Sequence, residues 1–256
     1  MVNGKFIEDW NKKDILYAKS RGGVFVVSNP LDNLVYPDYI KWPTPEIVQK
    51  LYKSRQIRAF DGNQSSICKS GLGYYCDLQS LHSEDAITWS IFGPLCYSNL
   101  LVREKWVSQF LELLGIKKAK PTNSNIFLWR RIPHPDTLVS GGPEIDFGIL
   151  TDNTLIFGEA KWMSRIGNKQ GKKRDKDQIQ LRLEFLDKYG KTTFPSVDIF
   201  LVVGVGLSKD AFNDSKSLIS GARLISTTWQ DICSIKEHPH YNEIQRYYKW
   251  KLKHTL

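Results

Sequence analysis

The residues that decide the fold are Pro143-Glu144-Ile145-Asp146-Phe147-Gly148-Ile149-Leu150-Thr151-Asp152-Asn153-Thr154-Leu155-Ile156-Phe157-Gly158-Glu159-Ala160-Lys161. Two apolar runs flank Asp152-Asn153, a pair suited to a two-residue turn. They predict a tight hairpin with strands over 144–151 and 154–161. Setting Thr151 opposite Thr154 aligns Ile149 with Ile156 and Leu150 with Leu155. It also aligns Phe147 with Gly158 and Gly148 with Phe157, a ring facing a bare position each time. The same register puts Asp146 opposite Glu159 and Glu144 opposite Lys161. Glu159 and Lys161 are two apart and share a strand face, and Asp146 lies on that face too. Opposed carboxylates repel and add nothing to a sheet. Such local conflicts gather at functional sites. A hard cation such as Mg²⁺, which prefers oxygen ligands, would convert the repulsion into coordination. The alternative is a solvated strand end on which Lys161 neutralises both acids.

Working outward, Ile126-Phe127-Leu128-Trp129-Arg130-Arg131 predicts a further strand, and Gly141-Gly142-Pro143 a turn. Upstream, Ser83 suits an N-cap, with Glu84 and Asp85 in the first turn and Ala86, Ile87, Trp89, Ile91 and Phe92 behind them. A second helix is expected over 104–114, stopping at Gly115. Downstream, a basic loop leads to a helix over about 175–189 whose apolar stripe is Ile179, Leu183 and Leu186. Residues 197–203 form an apolar run suited to a buried central strand, and 223–227 a further strand. A basic helix is expected over about 241–254. This mixing of strands and helices predicts an α/β sandwich with helices on both sheet faces.

Residues 1–80 read as an N-terminal addition or small domain, and 81–256 as the main domain. In the first segment, 23–27 predicts a short strand. Thr44-Pro45-Glu46 predicts a helix start with Pro at its first position. A loop rich in Gly, Ser and Asn is expected over 61–73.

The chain has 256 residues, of which 41% are hydrophobic and 25% charged, the profile of an ordinary globular protein. No apolar run approaches the roughly 18 residues of a membrane span, and the N-terminus does not read as a signal segment. The expected location is therefore cytoplasmic. Cys68, Cys76, Cys96 and Cys233 follow no zinc-site spacing and read as reduced thiols. The net charge of +9 favours polyanionic partners, nucleic acid first. It is concentrated between Lys161 and Lys191. Ten basic residues there (Lys161, Arg165, Lys169, Lys172, Lys173, Arg174, Lys176, Arg182, Lys188, Lys191) face four acids (Asp175, Asp177, Glu184, Asp187), a local excess of +6.

Asp146, followed by Glu159-Ala160-Lys161 on the next strand, resembles the PD-(D/E)XK nuclease superfamily. Pro143 stands three residues before Asp146, whereas the named motif has it adjacent. The resemblance covers about 81–205. It implies a restriction-endonuclease-like three-layer sandwich, with a mixed central sheet flanked by helices. It further implies a metal-dependent phosphodiesterase, a DNA endonuclease of bacterial restriction or antiviral defence, with Mg²⁺ as cofactor and Mn²⁺ able to substitute. Asp146, Glu159 and the main-chain carbonyl of Ala160 would hold the metal. Glu84, the match for a helix-borne Glu of this fold, would join them, with Asp85 as the alternative. Lys161 would orient or deprotonate the attacking water. Gln178 and Arg182, one helical turn apart, would approach the scissile phosphate, unless they form only an exposed helix face. Lys172, Lys173 and Arg174 would contact the nucleic-acid backbone, unless they form only a solvated loop. The implied partner is double-stranded DNA, with a second copy of the chain or a larger defence complex completing the assembly.

Other patterns carry less. Gly204-Val205-Gly206 resembles part of a dinucleotide fingerprint, but Lys209 stands where its third Gly belongs. His134-Pro135-Asp136 and His238-Pro239-His240 lack the helical spacing of a zinc protease site. Carboxylate pairs also serve glycosidases, but Lys161 and the basic surface favour phosphodiester chemistry. A module that binds nucleic acid without cleaving it is the competing expectation, and a structural subunit of a larger complex is the third.

Overall fold

The computed structural model describes residues 5–19, 23–53, 76–136, 142–164, 176–212, 218–219 and 221–255. Its strands are β1 (Lys5–Glu8), β2 (Asp14–Lys19), β3 (Phe25–Val27), β4 (Asn125–Arg131), β5 (Glu144–Leu150), β6 (Thr154–Ala160), β7 (Ile199–Gly206), β8 (Leu218–Ile219) and β9 (Ala222–Thr228). The main helices are α1 (Pro45–Lys53), α2 (Glu84–Cys96), α3 (Leu100–Leu113), α4 (Gln178–Phe185), α5 (Trp229–Cys233) and α6 (Tyr241–Thr255). No helix among the described residues is long and apolar enough to cross a membrane. Of the described cysteines, Cys76 and Cys233 are buried and Cys96 is half-buried. The loop expected over 61–73 lies outside the described residues.

The chain forms two compact units, 1–94 with 240–256, and 95–239. The sequence reading draws its line at 80/81, whereas the compact units divide after Pro94 and again after Pro239.

In the first unit, β1, β2 and β3 form an antiparallel sheet. Asp9 turns the β1–β2 hairpin, its Oδ1 accepting the amides of Asn11 and Lys13. Helix α6 joins this unit through aromatic packing. Trp10 meets Tyr247 and Trp250 edge-on at 5.0 and 5.2 Å, and the Trp250 indole donates to the carbonyl of Glu8. Helix α2 starts as expected, with Ser83 Oγ accepting the amide of Ala86.

The second unit is α/β. Its mixed sheet has the order β4-β5-β6-β7-β9-β8. Strands β4, β5 and β6 run antiparallel, β6, β7 and β9 parallel, and the two-residue β8 antiparallel to β9. The β5–β6 register is the one the sequence predicts: Phe147 faces Gly158, Gly148 faces Phe157, Ile149 faces Ile156 and Leu150 faces Leu155. The turn between them is two residues long, but neither Asp152 nor Asn153 takes a positive φ. Their side chains tie the turn to the segment before β4 instead. Asp152 accepts from Asn123 Nδ2 at 2.7 Å, and Asn153 exchanges hydrogen bonds with the main chain of Lys118 and Lys120. The ring over Gly158 is that of Phe147, as expected. The ring over Gly148 belongs to Phe127 of β4, and not to its register partner Phe157.

Every residue of β6 is buried, which suits a central strand. One face of the sheet packs against α4 and the helical turn that continues it, where Leu155, Phe157, Phe200 and Val202 form one core with Ile179, Leu183 and Leu186. Gly204-Val205-Gly206 completes β7, so the glycine pair does not open a helix.

Candidate active site

Period two along β6 puts Leu155, Phe157 and Glu159 on one face. The first two join the core beside α4. Glu159 therefore ends an apolar row with a carboxylate directed at the same helix. It is 2% exposed. Its Oε1 pairs with Lys161 Nζ at 2.7 Å, and its Oε2 pairs closely with Arg182 Nη2 of α4. Arg182 is wholly buried, and the same Nη2 donates to the carbonyl of Glu144. Burial raises the Glu159 carboxyl above its usual range; Arg182 opposes the rise, Asp146 adds to it, and Lys161 opposes it.

The β5–β6 ladder ends at Phe147 and Gly158. Beyond it, Asp146 and Glu159 are not ladder partners as the extended register expects. Asp146 turns its own carboxylate into the ladder's place, Oδ2 accepting the Ala160 amide at 2.7 Å. Glu144 likewise does not face Lys161. Its side chain lies 4.0 Å from Arg131, its partner across β4. The physical reason sits opposite Asp146, where Trp129 of β4 takes φ 51°, a left-handed backbone that strains a bulky side chain. Pairing between β4 and β5 skips this position and resumes at Arg130–Ile145. The faces of β5 change with it. Ile145 joins the α4 core, whereas Phe147 meets Phe110 of α3.

Lys161 continues β6 by one residue and is held at both main-chain groups. Its amide donates to Val205 at 2.7 Å, and its carbonyl accepts the Trp229 indole at 2.8 Å. Sequence reasoning assigns no role to Trp129 or Trp229. Trp129 acts through its backbone and Trp229 through its indole N–H, and residue type alone announces neither role.

The second unit thus brings together Asp146, Glu159, Ala160, Lys161 and Arg182. Gln178 opens α4 and is half-buried, so it and Arg182 do not share an exposed face. Glu84 stands in the first turn of α2, in the first unit, where Asp85 pairs with Lys50 at 3.1 Å. Lys172, Lys173 and Arg174 lie outside the described residues.

The basic segment also resolves into two parts. Lys161, Lys176, Arg182, Lys188 and Lys191 pair with Glu159, Glu184, Asp136 or Asp198. The other five cations of the ten, Arg165, Lys169, Lys172, Lys173 and Arg174, fall within 165–175, where Asp175 is the single acid.

Among the described residues no three His, Cys, Asp or Glu side chains converge on a metal position. The donors present still suit Mg²⁺, which binds through one or two carboxylates and keeps several waters. Among the described residues Asp146 Oδ1 carries no hydrogen bond, and buried Glu159 Oε2 has an ionic neighbour but no directed hydrogen bond. No protein-family model, curated protein or solved structure matches this chain.

Proposed function

We propose that the second unit is a metal-dependent nuclease of the PD-(D/E)XK type, with a restriction-endonuclease-like fold, hydrolysing phosphodiester bonds in double-stranded DNA. The observation that carries this reading is the meeting of Asp146 and Glu159-Ala160-Lys161 on adjacent strands where their ladder opens. Asp146 Oδ1, Glu159 and the Ala160 carbonyl would hold Mg²⁺ or Mn²⁺. Bound there, the cation would supply an acidified water and a polarised phosphate. Lys161, fixed by Val205 and Trp229, orients the attacking water and offsets charge that builds on phosphorus. Arg182, once released from Glu159, would turn a planar fork of donors to the phosphate oxygens. The cations of 165–175 bring affinity for the nucleic-acid backbone and no sequence choice. Action as an endonuclease in restriction or antiviral defence, and pairing with a second copy of the chain, belong to this same reading.

One observation favours a second reading, a nucleic-acid-binding module that does not cleave. Both oxygens of Glu159 already face cations, Lys161 and Arg182, and with Asp146 counted the four formal charges cancel. The deciding experiment incubates the protein with supercoiled plasmid, linear duplex, single-stranded DNA and RNA, in Mg²⁺, Mn²⁺ or EDTA. Metal-dependent cleavage lost in Lys161→Ala supports the nuclease. Salt-sensitive binding without cleavage in any metal supports the second reading.

A further inference from the structure

The fully buried guanidinium of Arg182 is only partly used. Nη2 meets Glu159 and the Glu144 carbonyl, whereas Nε and Nη1 are buried with no hydrogen-bond partner. Leaving buried donors unmade costs about 1–3 kcal/mol, more for charged groups. The site tolerates this beside a carboxylate oxygen that itself lacks a directed hydrogen bond. The formal charges also close: Asp146 and Glu159 balance Lys161 and Arg182. A divalent cation entering alone would leave two positive charges in excess in a buried place, where such an excess is costly.

We propose that Arg182 holds the cation's place in the resting site, so that a divalent metal and an anionic phosphodiester enter together. This rests on the nuclease reading of the site. Metal takes Glu159 Oε2 from Arg182, and the phosphate oxygens satisfy the donors so released, including the two that lack partners. Each ligand removes the obstacle to the other. Metal affinity and nucleic-acid affinity are then coupled, and the coupling is reciprocal.

The test titrates Mn²⁺ into the full-length protein at constant ionic strength, reading free Mn²⁺ by electron paramagnetic resonance. One arm contains protein alone, and the other a saturating phosphorothioate duplex, with duplex-only controls subtracted. The expected result is a Mn²⁺ affinity tighter by roughly tenfold or more with duplex, and the same factor when duplex affinity is measured by anisotropy with and without Mn²⁺. Arg182→Gln should bind Mn²⁺ more tightly than wild type without duplex and lose most of the coupling. A purely structural Arg182 would change stability but leave the coupling intact. Equal Mn²⁺ affinity in the two wild-type arms, with duplex demonstrably bound, overturns the proposal and leaves the nuclease reading standing. No Mn²⁺ binding in either arm overturns both. The wild-type arms decide even where Arg182→Gln fails to fold.

Discussion

Among the described residues, each unit buries one basic side chain completely, Lys251 in the first and Arg182 in the second, and the two are handled differently. Lys251 lies on α6 with the Tyr247 ring 5.9 Å from its Nζ. Burial pulls its pKa well below the ordinary 10.5, so the buried amine gives up its proton more readily than a solvated one. A guanidinium has no such exit, since it keeps its proton under all ordinary conditions. Arg182 must therefore be answered by a carboxylate, and Glu159 supplies it. A buried lysine can be a packing solution, whereas a buried arginine commits its surroundings to charge. That commitment is why Arg182 marks a site and Lys251 by itself does not.

The contrast breaks most visibly at Arg182. Arg182→Met should cost about 3–5 kcal/mol of metal-free stability, because Glu159 loses its main counter-charge. Urea unfolding in EDTA measures this, and a loss below about 1 kcal/mol would mean that the pair is not a buried commitment. Adding Glu159→Gln to that variant should recover roughly 1–3 kcal/mol, since the stranded charge is gone. Additive losses in the double variant would show two independent roles.

Lys251→Met should have the opposite sign, a gain on the order of 1 kcal/mol near neutral pH. The folded pKa lies below the unfolded one, so the unfolded chain takes up the proton first as pH falls from 10.5. Wild-type stability is thus eroded below that pH, and the advantage of the variant should grow as pH falls from about 10. A pH-independent difference in melting temperature would refute the lowered pKa of Lys251. The smallest effect is expected for Asp146→Asn in EDTA, within about 1 kcal/mol of the wild type, because lost repulsion toward Glu159 and lost attraction toward Lys161 and Arg182 largely cancel. The amide oxygen can still accept from Ala160. A clear loss of metal-free stability would mean that Asp146 also answers a buried cation.

The β5–β6 register was legible because apolar alternation and the Phe147–Gly158 complement allow few other pairings. Glu159 and Lys161 followed from it. What lay beyond Phe147 did not, since the ladder is broken by the backbone of Trp129 on a different strand. Arg182 offered a signal that charge obscured. It is three residues after Ile179 and four before Leu186, within the buried stripe of α4, yet a basic residue reads as exposed by default. The pairing of Lys188 with Asp136 and of Lys191 with Asp198 needs tertiary structure, so the surplus of +6 overstated what the described residues offer a polyanion. The place of α6 beside β1 and β2 was hidden for the same reason, because Trp10 and Trp250 are far apart in the chain.

The left-handed residue of β4 also bears on how the protein behaves in concentrated solution. Among the described residues β4 is an outer strand of its sheet, and outer strands invite another molecule to pair with them. A regular strand would bury one of two successive residues. After Trp129 the alternation slips, and Arg130 and Arg131 are both exposed, next to each other, at the end of that strand. Two adjacent positive charges on a kinked edge repel a second copy of the same edge and spoil the straight ladder it would need. The kink beside Asp146 therefore also discourages the sheet from growing into an aggregate.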